Sequence, residues 1–570
     1  MSREIITKWS EQDAAGSRDS GNFPASPEAP PPTGKKKMDF DDILEEIGEF
    51  GRYQITNYIL ICLPVLFSAA NSLTYVFTAG VPNYRCKVPG CDNETDPEYS
   101  GKWVEEAIPL SSHNPYNEQG FVPDQCNMYV PYGNVTNMTC PLGHFSKNVS
   151  KCDSWVYEHN EWTILGQWEI TCLANQWMLS LVGTVHFAGI LMGTVTFGLL
   201  ADRFGRKQIF VFCILLMSVT GIAQAISPSY VVFQVFVFIN ALGTAGVYPL
   251  AFIIGVELVG RKKREMSGII LNYFYAIGEA GIALVAWLSK DWMIIQLVVS
   301  APPAIFVVYY WLVPESVRWL LAKNKNRKAE KIIKKAARMN KVVLSERLLS
   351  TFDEDNLVKD PEEDDDSMGT WQTTVQICKS KKLVFRSLNL FYNWAANAFV
   401  YYGLSVNSTS LGGNKYLNFA LVALAEIPGY TLAWIAMNKI GRRWSLVGSM
   451  LICGITCMTA AFIPQDARWA VVTLFLIGKI GITCSFGVIV VYTAELYPTI
   501  MRSVGVGTSS TVARIGAMVA PFAPLLAIYM EELPLILFGV VSFTAGALAL
   551  LFPETLGARL PDTVEELQAL

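Results

Sequence analysis

Four ionisable residues lie inside long apolar stretches of this chain: Glu279, Glu426, Lys479 and Arg514. A charged side chain in an apolar segment of membrane length is expensive, and such residues usually mark the pathway of a polar ligand. Two acids and two bases suit a small ligand that carries an ammonium group, a carboxylate or both. The alternative is that the four charges pair with one another and only hold the helices together. Both interpretations stay open.

Aromatic side chains accompany these charges. Trp394, Tyr401 and Tyr402 follow one apolar stretch, and Tyr275 lies in another. The face of an aromatic ring attracts a cation by about 0.5–2 kcal/mol. We therefore predict that these four residues contact the ligand, although helix packing or lipid contact would explain any single one equally well.

Membrane-spanning helices must position these side chains. Of the 570 residues, 52% are hydrophobic and only 16% are charged, a composition that excludes an ordinary soluble protein. About 20 apolar residues suffice to cross a bilayer core of roughly 30 Å. We predict twelve spans, near residues 54–78, 176–200, 208–227, 231–256, 267–289, 293–313, 386–408, 417–437, 445–463, 468–493, 503–528 and 533–552. The net charge of −4 gives no indication of nucleic-acid binding.

The short loops set the orientation. Basic residues cluster on one side, which should be cytoplasmic: Arg203, Arg206, Lys207, Arg264, Lys439, Arg442, Arg443 and Arg502. We divide the chain into a cytoplasmic tail (1–53), a first six-helix half (54–313), a cytoplasmic linker (314–385), a second half (386–552) and a cytoplasmic C-terminal tail (553–570). Residues 41–49 and 323–338 should form short helices, and the acidic stretch 353–366 a flexible connection.

A long loop at residues 80–175 separates the first two spans and should be extracellular. It holds six of the twelve cysteines: Cys86, Cys91, Cys126, Cys140, Cys152 and Cys172. It also holds four glycosylation sequons, at Asn93, Asn134, Asn137 and Asn148. The even count predicts three disulfides, with the pairing open among 15 possibilities.

Residues Gly198 to Lys207 form a tight basic turn with one acid, Asp202, between two spans. A weaker copy, Met437 to Arg443, lies between two spans of the second half. This pair resembles the hallmark loops of the major facilitator superfamily. The resemblance implies an all-α membrane protein of twelve transmembrane helices in two six-helix halves, here with a large disulfide-bonded extracellular loop.

The long loop narrows the resemblance to the organic ion transporter family, which carries a cysteine-rich, glycosylated loop in this place. Further matching motifs are Phe50–Gln54, Cys152–Tyr157, Pro314–Leu320, Tyr401–Leu404 and Tyr492–Thr499. Glu426 stands in a Glu-Ile-Pro sequence similar to that of the cation and carnitine carriers. Arg514 stands where anion and carnitine carriers have an arginine, and Lys479 is similar to the carnitine branch.

The resemblance also implies a cytoplasmic gate. Asp202 would cap the start of the eleventh span and pair with a nearby arginine such as Arg502 while the carrier opens outward. A set of cytoplasmic ion pairs that break when the halves rock would complete the gate: Glu257, Arg264, Glu315, Arg318, Arg443 and Glu495. Arg203, Gly205 and Arg206 of the signature loop would also belong to the gate.

We carry three hypotheses for function. The first is a plasma-membrane carrier, working by alternating access, for small organic cations or zwitterions such as carnitine-like or amine compounds. Glu426 would face the ammonium group and Arg514 the carboxylate. The second is an organic anion exchanger, which Arg514 and Lys479 alone would allow. The third is a receptor or scaffold on a transporter fold. No enzyme, metal-site or nucleotide-loop motif appears, so we expect no cofactor beyond sodium or a proton as coupling ion.

Overall fold

The structure is a computed structural model. It describes residues 40–93, 97–101, 103–111, 122–132, 145–158, 161–260, 263–345, 375–376, 378–464, 467–498, 501–557 and 566. The predicted acidic connection at 353–366 lies outside the described residues, as do Cys140, Asn134 and Asn137.

Within the residues that the structure describes, twelve helical spans form the body of the protein. Ten are long and apolar enough to cross a membrane: Arg52–Thr78, Leu173–Phe204, Arg206–Ala225, Tyr230–Leu258, Arg264–Ser289, Trp292–Leu312, Lys415–Lys439, Arg442–Ala461, Arg468–Leu496 and Arg502–Ile528. The seventh span, Lys381–Asn407, begins with a polar turn, and the twelfth, Leu533–Ala549, is shorter. We number them span 1 to span 12 in chain order. The twelve predicted spans agree with these bounds to within a few residues.

Several spans are interrupted where proline removes a backbone donor. Span 6 passes from Trp292–Ser300 through a 3-10 turn at Pro302–Val308 to Tyr309–Leu312. Span 11 passes from Arg502–Val519 into a 3-10 turn at Ala520–Ile528. Span 8 breaks between Lys415–Leu424 and Glu426–Lys439, three residues before Pro428. Span 1 also passes from Arg52–Leu73 into Tyr75–Thr78, with no proline beside the junction at Thr74.

The spans pack as two halves that meet along two seams. Within the first half span 4 packs on spans 2 and 3, and within the second half span 9 packs on spans 10 and 12. Span 5 meets span 8 across the first seam, and span 2 meets span 11 across the second. These seams bring residues of both halves to the centre of the bundle.

The long loop is a small disulfide-bonded unit with six short strands. Three antiparallel pairs form: β1 (Tyr84–Cys86) with β6 (Trp155–Tyr157), β2 (Leu110–Ser111) with β3 (Val122–Pro123), and β4 (Asn127–Pro131) with β5 (Phe145–Lys151). Short helices lie at Val104–Ala107 and Ile164–Gln167. Disulfides join Cys86 to Cys152 and Cys126 to Cys172, and Cys91 is disulfide-bonded as well.

A buried ion pair holds the start of this loop. Arg85 and Asp92 lie 2.6 Å apart with their side chains 0% and 1% exposed. Arg85 also donates to the carbonyl oxygens of Cys86 and Tyr99 at 2.8 Å, so the buried charge is well satisfied. The Asn93 and Asn148 side chains are exposed, as glycan attachment requires.

Three short helices cover the opposite end of the bundle: Phe40–Ile47, Val317–Ala322 and Asn326–Asn340. The first and last confirm the predicted tail and linker helices. Asn340 ties them to span 1, because it accepts from the backbone N–H of Tyr53 at 2.9 Å and donates to the carbonyl of Ile47 at 3.0 Å. We call this end the linker end and the end with the long loop the loop end.

Candidate functional site

A buried charge cluster lies where span 5 of the first half meets spans 8 and 10 of the second. Lys479 Nζ is 2.9 Å from Glu426 Oε1, and both side chains are 0% exposed. Lys479 Nζ also donates to Ser405 Oγ at 2.8 Å and to the carbonyl of Tyr401 at 3.3 Å. Glu279, which is 1% exposed, faces both Glu426 and Lys479 from the other half. The cluster therefore holds two carboxyl groups and one ammonium group.

Close helix contact brings the cluster together. Pro428 cannot donate to the carbonyl four residues before it, so span 8 is interrupted beside Glu426. One turn further on, a Cβ on Gly429 would lie 2.8 Å from the Cβ of Thr483. Only glycine permits this approach of span 8 to span 10. Because Thr483 lies one turn after Lys479, the same approach places Lys479 against Glu426.

Tyrosine rings wall the cluster. Lys479 Nζ lies 3.6 Å from the centre of the Tyr401 ring, a cation–π contact. Tyr401 packs edge-on against Tyr402, with ring centres 5.0 Å apart. Tyr275 packs against Tyr248 at 5.4 Å, and both rings interact with Tyr402 and Glu426. Three of the four predicted aromatic residues thus lie at the centre of the bundle.

The fourth, Trp394, is buried in helix packing instead. Its indole N–H donates to Thr493 Oγ1 at 2.8 Å, and its ring contacts Phe486. Both partners lie in span 10 of the same half, so the structure gives Trp394 a packing contact that the sequence could not distinguish from ligand contact.

Arg514 lies apart from the cluster, on span 11. Its Nη1 donates to the Tyr402 hydroxyl at 3.4 Å, and its Nε has no hydrogen-bond partner among the described residues. The hydroxyl of Tyr402, whose ring packs on that of Tyr401, thereby links Arg514 to the tyrosines that wall the cluster. The predicted charges thus form two poles, one with the two acids and Lys479 and one with Arg514.

Several buried polar atoms around these poles lack partners within the described ranges. They are Tyr75 Oη, His186 Nε2, Glu279 Oε1 and Arg514 Nε. A buried polar group without a hydrogen bond costs about 1–3 kcal/mol, so water or a ligand is expected to satisfy them. Sequence analysis missed Tyr75 and His186. The signal for His186 was available, since it is an ionisable residue in the middle of a predicted span.

Charged residues at the linker end of the first half form a network around Glu257. Arg206 pairs with Glu257, and the Ser316 hydroxyl donates to the same carboxylate. The neighbouring Glu315 accepts from the backbone N–H of Lys207 at 3.0 Å. Gly205, which precedes this turn, has φ +118°, a conformation that favours glycine.

The second half repeats this network residue by residue. Arg442 donates to Glu495 at 2.9 Å, and the Thr555 hydroxyl donates to the same carboxylate. Glu554 accepts from the backbone N–H of Arg442 at 2.8 Å, as Glu315 does from Lys207. Gly441 has φ +102°. The sequence Pro-Glu-Thr at 553–555 is similar to Pro-Glu-Ser at 314–316. This similarity could have identified Glu554 as the counterpart of Glu315, but the prediction did not use it.

These pairs differ from the expected gate in two respects. First, the ion pairs lie within each half, so movement of one half against the other would not break them. Second, Glu495 pairs with Arg442 and not with Arg443, the arginine named in the prediction. Arg443 instead uses its backbone N–H to reach Glu554 and its side chain to reach the carbonyl of Leu550. Arg264 and Arg318 both pair with Asp41 of the N-terminal helix, an acid that sequence analysis had not singled out.

The remaining gate residues lie at the linker end, where Asp202 and Arg203 are exposed and Arg502 is half-buried. Asp202 lies 3.9 Å from Arg206 and is 74% exposed. The Nε and Nη2 atoms of Arg502 lack hydrogen-bond partners in the part of the chain that the structure describes. Arg203 stacks on Phe204. The Asp202–Arg502 interlock is therefore not formed in this conformation, and its role in an outward-open state stays a prediction.

The two halves contact each other at the loop end. Glu161 of the long loop pairs with Lys415 at the start of span 8. Phe77 of span 1 packs against Phe419 of span 8, with ring centres 5.0 Å apart. On the other seam the Thr184 hydroxyl donates to the carbonyl of Met518 at 2.8 Å. These contacts close the bundle on the loop side of the charge cluster.

Comparison with known proteins identifies the family. The family described as "Sugar (and other) transporter" matches residues 136–566. An organic cation transporter protein of Drosophila melanogaster is 33% identical over 531 residues, which cover 93% of this chain and 94% of the relative. Human solute carrier family 22 member 2 is 33% identical over 539 residues, 92% of this chain and 94% of that protein. The chain belongs to solute carrier family 22 of the major facilitator superfamily.

The fold of this solute carrier family 22 member agrees with that assignment. A xylose transporter of E. coli in a partially occluded, inward-open conformation superposes with a TM-score of 0.57 at 14% identity, covering 89% of this chain and all of that one. Such a low identity relates the folds alone. The predicted family and the predicted twelve-helix architecture are both confirmed.

Proposed function

We propose that this solute carrier family 22 member carries small organic cations across the plasma membrane by alternating access, with zwitterions as the finer substrate class. Its relatives include proteins named as organic cation transporters, from Drosophila melanogaster and Caenorhabditis elegans. The long loop would face outward and both termini the cytoplasm, with the basic loops on the inner side. Transport, rather than catalysis, is the activity that a membrane bundle with a charged centre supports.

One observation carries the proposal: the buried cluster has one acid more than it has bases. Glu426 and Glu279 face one ammonium group, that of Lys479, so the cluster holds one carboxyl group more than its own cation balances. A buried carboxylate without a compensating charge is strongly disfavoured. A monovalent organic cation would balance the charge, and the rings of Tyr401 and Tyr402 would contact its apolar groups.

Arg514 extends the proposal to zwitterions. Its guanidinium group has an Nε without a hydrogen-bond partner within the described ranges, and its Nη1 reaches the Tyr402 hydroxyl at 3.4 Å. A substrate with an ammonium group at one end and a carboxylate at the other would contact both poles. Carnitine-like compounds have this arrangement. The same Arg514 is the one observation that favours the second candidate, an organic anion exchanger, because it could receive a carboxylate alone.

Alternating access requires a barrier on one side of the site at a time. Phe77, Phe419 and the Glu161–Lys415 pair join the halves on the loop side of the cluster. The hydrogen bonds between Tyr273 and Thr431 and from Trp434 to Glu265 join them on the linker side. These two sets of contacts would open in turn, whereas the networks around Glu257 and Glu495 lie within the halves and would move with them. A receptor or scaffold would have no need for unpaired polar atoms at its buried centre.

Uptake into expressing cells tests the proposal. Labelled tetraethylammonium, carnitine and an aromatic anion are compared with and without sodium, which also tests for a coupling ion. Glu426→Gln should raise the half-saturation constant for the first two substrates by about tenfold to a hundredfold, or about 1.4–2.8 kcal/mol, because it removes the negative charge that attracts their quaternary ammonium groups. Arg514→Ala should impair carnitine uptake and leave tetraethylammonium uptake intact.

The matched control is Glu330→Gln, which removes an acid from a surface pair with Lys334 on the linker helix. It should leave all three uptakes unchanged, because exposed pairs contribute little. If the cells take up the aromatic anion but neither tetraethylammonium nor carnitine, the proposal of cation transport is refuted and anion exchange is favoured. Absence of all three uptakes at normal surface levels would favour the receptor hypothesis.

A further inference from the structure

We propose that Lys479 is a tethered cation, one that occupies the cation subsite of the empty carrier and gives way to the ammonium group of the substrate. This inference rests on the proposed function, since it assigns the residue that competes with the transported cation. It makes Lys479 a determinant of specificity and of the rate at which the empty carrier returns.

The contacts of Lys479 are those that an ammonium ligand would need. Its Nζ lies 2.9 Å from a carboxylate oxygen of Glu426 and 3.6 Å from the centre of the Tyr401 ring. A carboxylate together with an aromatic face is how proteins recognise alkylammonium groups. The side chain of the protein itself therefore fills the place that the proposed substrate requires.

The Lys479 ammonium group has two further partners that do not depend on Glu426. Ser405 Oγ and the carbonyl of Tyr401 accept from Nζ at 2.8 and 3.3 Å. Both acceptors belong to span 7, whereas Glu426 belongs to span 8. The flexible four-carbon stem of lysine allows Nζ to leave Glu426 while it keeps these two hydrogen bonds.

Charge balance favours this exchange of partners. In the empty carrier the two acids, Glu279 and Glu426, share the single positive charge of Lys479. When a substrate cation enters and Lys479 moves toward span 7, two carboxylates face two cations. The bound state is then neutral within the cluster, and no charge is left uncompensated in a site of low dielectric constant.

The same arrangement has a kinetic consequence. When the substrate leaves, Lys479 returns to Glu426, so the empty carrier can reorient without an unpaired carboxylate pair at its centre. Without Lys479 the cation subsite would be vacant and more accessible to substrate. The empty carrier would then reorient slowly, whereas the loaded carrier would be unaffected.

Lys479→Gln separates these effects. The half-saturation constant for tetraethylammonium should fall by about tenfold, the maximal rate of net uptake should also fall by about tenfold, and exchange of external for preloaded internal tetraethylammonium should persist. A residue that only held the helices together would lower net uptake and exchange alike. Lys334→Gln, on the surface of the linker helix, is the matched control for loss of a lysine charge.

Two further measurements keep the test decisive. If Lys479→Gln does not reach the surface, Lys479→Met keeps an unbranched stem, and Glu426→Gln with Lys479→Gln removes both charges together. Binding is read independently as the stabilisation of purified protein by tetraethylammonium, which should be larger for the single Lys479 variant than for the wild type and smaller for the double variant.

The outcomes separate this inference from the proposed function. A wild-type protein that neither takes up nor exchanges tetraethylammonium, carnitine or another organic cation refutes the proposed function itself. A wild-type protein that transports these cations, with a half-saturation constant that is unchanged or raised in Lys479→Gln, overturns the tethered-cation role alone. Loss of exchange together with net uptake in a folded, surface-expressed variant also overturns it.

Discussion

Replacing Gly205 with alanine should destabilise the protein through the turn that joins spans 2 and 3. Gly205 has φ +118°, which a residue with a side chain adopts at a cost of about 1–3 kcal/mol. Its Cβ would lie 2.7 Å from Glu315 Oε2. Glu315 cannot move freely, because Oε1 of the same carboxylate accepts the N–H groups of Lys207 at 3.0 Å and Ser316 at 3.1 Å. Weakening such a charge-assisted bond adds about 1.5–3 kcal/mol.

The expected loss in the free energy of unfolding is thus about 2.5–6 kcal/mol. Domains of 150–250 residues, close to the size of one half, lose about 2–4 °C in Tm per kcal/mol, so Gly205→Ala should melt about 5–24 °C lower. The assay is thermal unfolding of detergent-solubilised protein followed by size-exclusion chromatography. The control is Gly198→Ala in span 2, where a Cβ meets nothing within 4 Å and alanine favours the helix. Equal melting of the two variants would refute the steric argument.

Two more predictions concern the ends of the bundle. Asp202→Asn should keep normal surface expression, because the Asp202 side chain is 74% exposed. It should slow transport if the carboxylate locks the outward-open state. Unchanged turnover and unchanged cysteine accessibility at the linker end would contradict that role. Asn148→Gln should remove one glycan, seen as a mass shift that deglycosylation abolishes, because Asn148 lies exposed in β5; an unglycosylated wild-type protein would mean that the loop end does not face the lumen during synthesis.

The spans were predictable from sequence because length and hydropathy alone determine whether a helix can cross a bilayer. The amphipathic pattern of the tail helix and the alanine-rich linker helix were equally local signals, and both helices form as expected. The strands of the long loop were not predicted. Each has only two to seven residues, and pairing such as Tyr84 with Tyr157 joins residues far apart in sequence.

The candidate site was only partly predictable, because the sequence shows which charges lie in the membrane but not which of them meet. From the sequence, Glu426 and Arg514 were equally good candidates for the residues that bind the two charged groups of a substrate. The structure places the Lys479 ammonium group 2.9 Å from Glu426, and Glu279 faces this pair from the other half. That arrangement depends on the close approach of spans 8 and 10 at Gly429, a three-dimensional contact that no local pattern specifies.

The two halves are alike at the linker end and different at the centre, and this contrast separates movement from binding. Glu257 and Glu495, which stand 238 positions apart near the ends of spans 4 and 10, form the same contacts in each half. The position that corresponds to Lys479 by the same count is Ala241, a buried residue of span 4. Two halves that rock against each other need matching rigid ends. A cationic group of a substrate needs a single cluster that binds it. The two halves therefore differ in sequence at the place where Lys479 contacts Glu426.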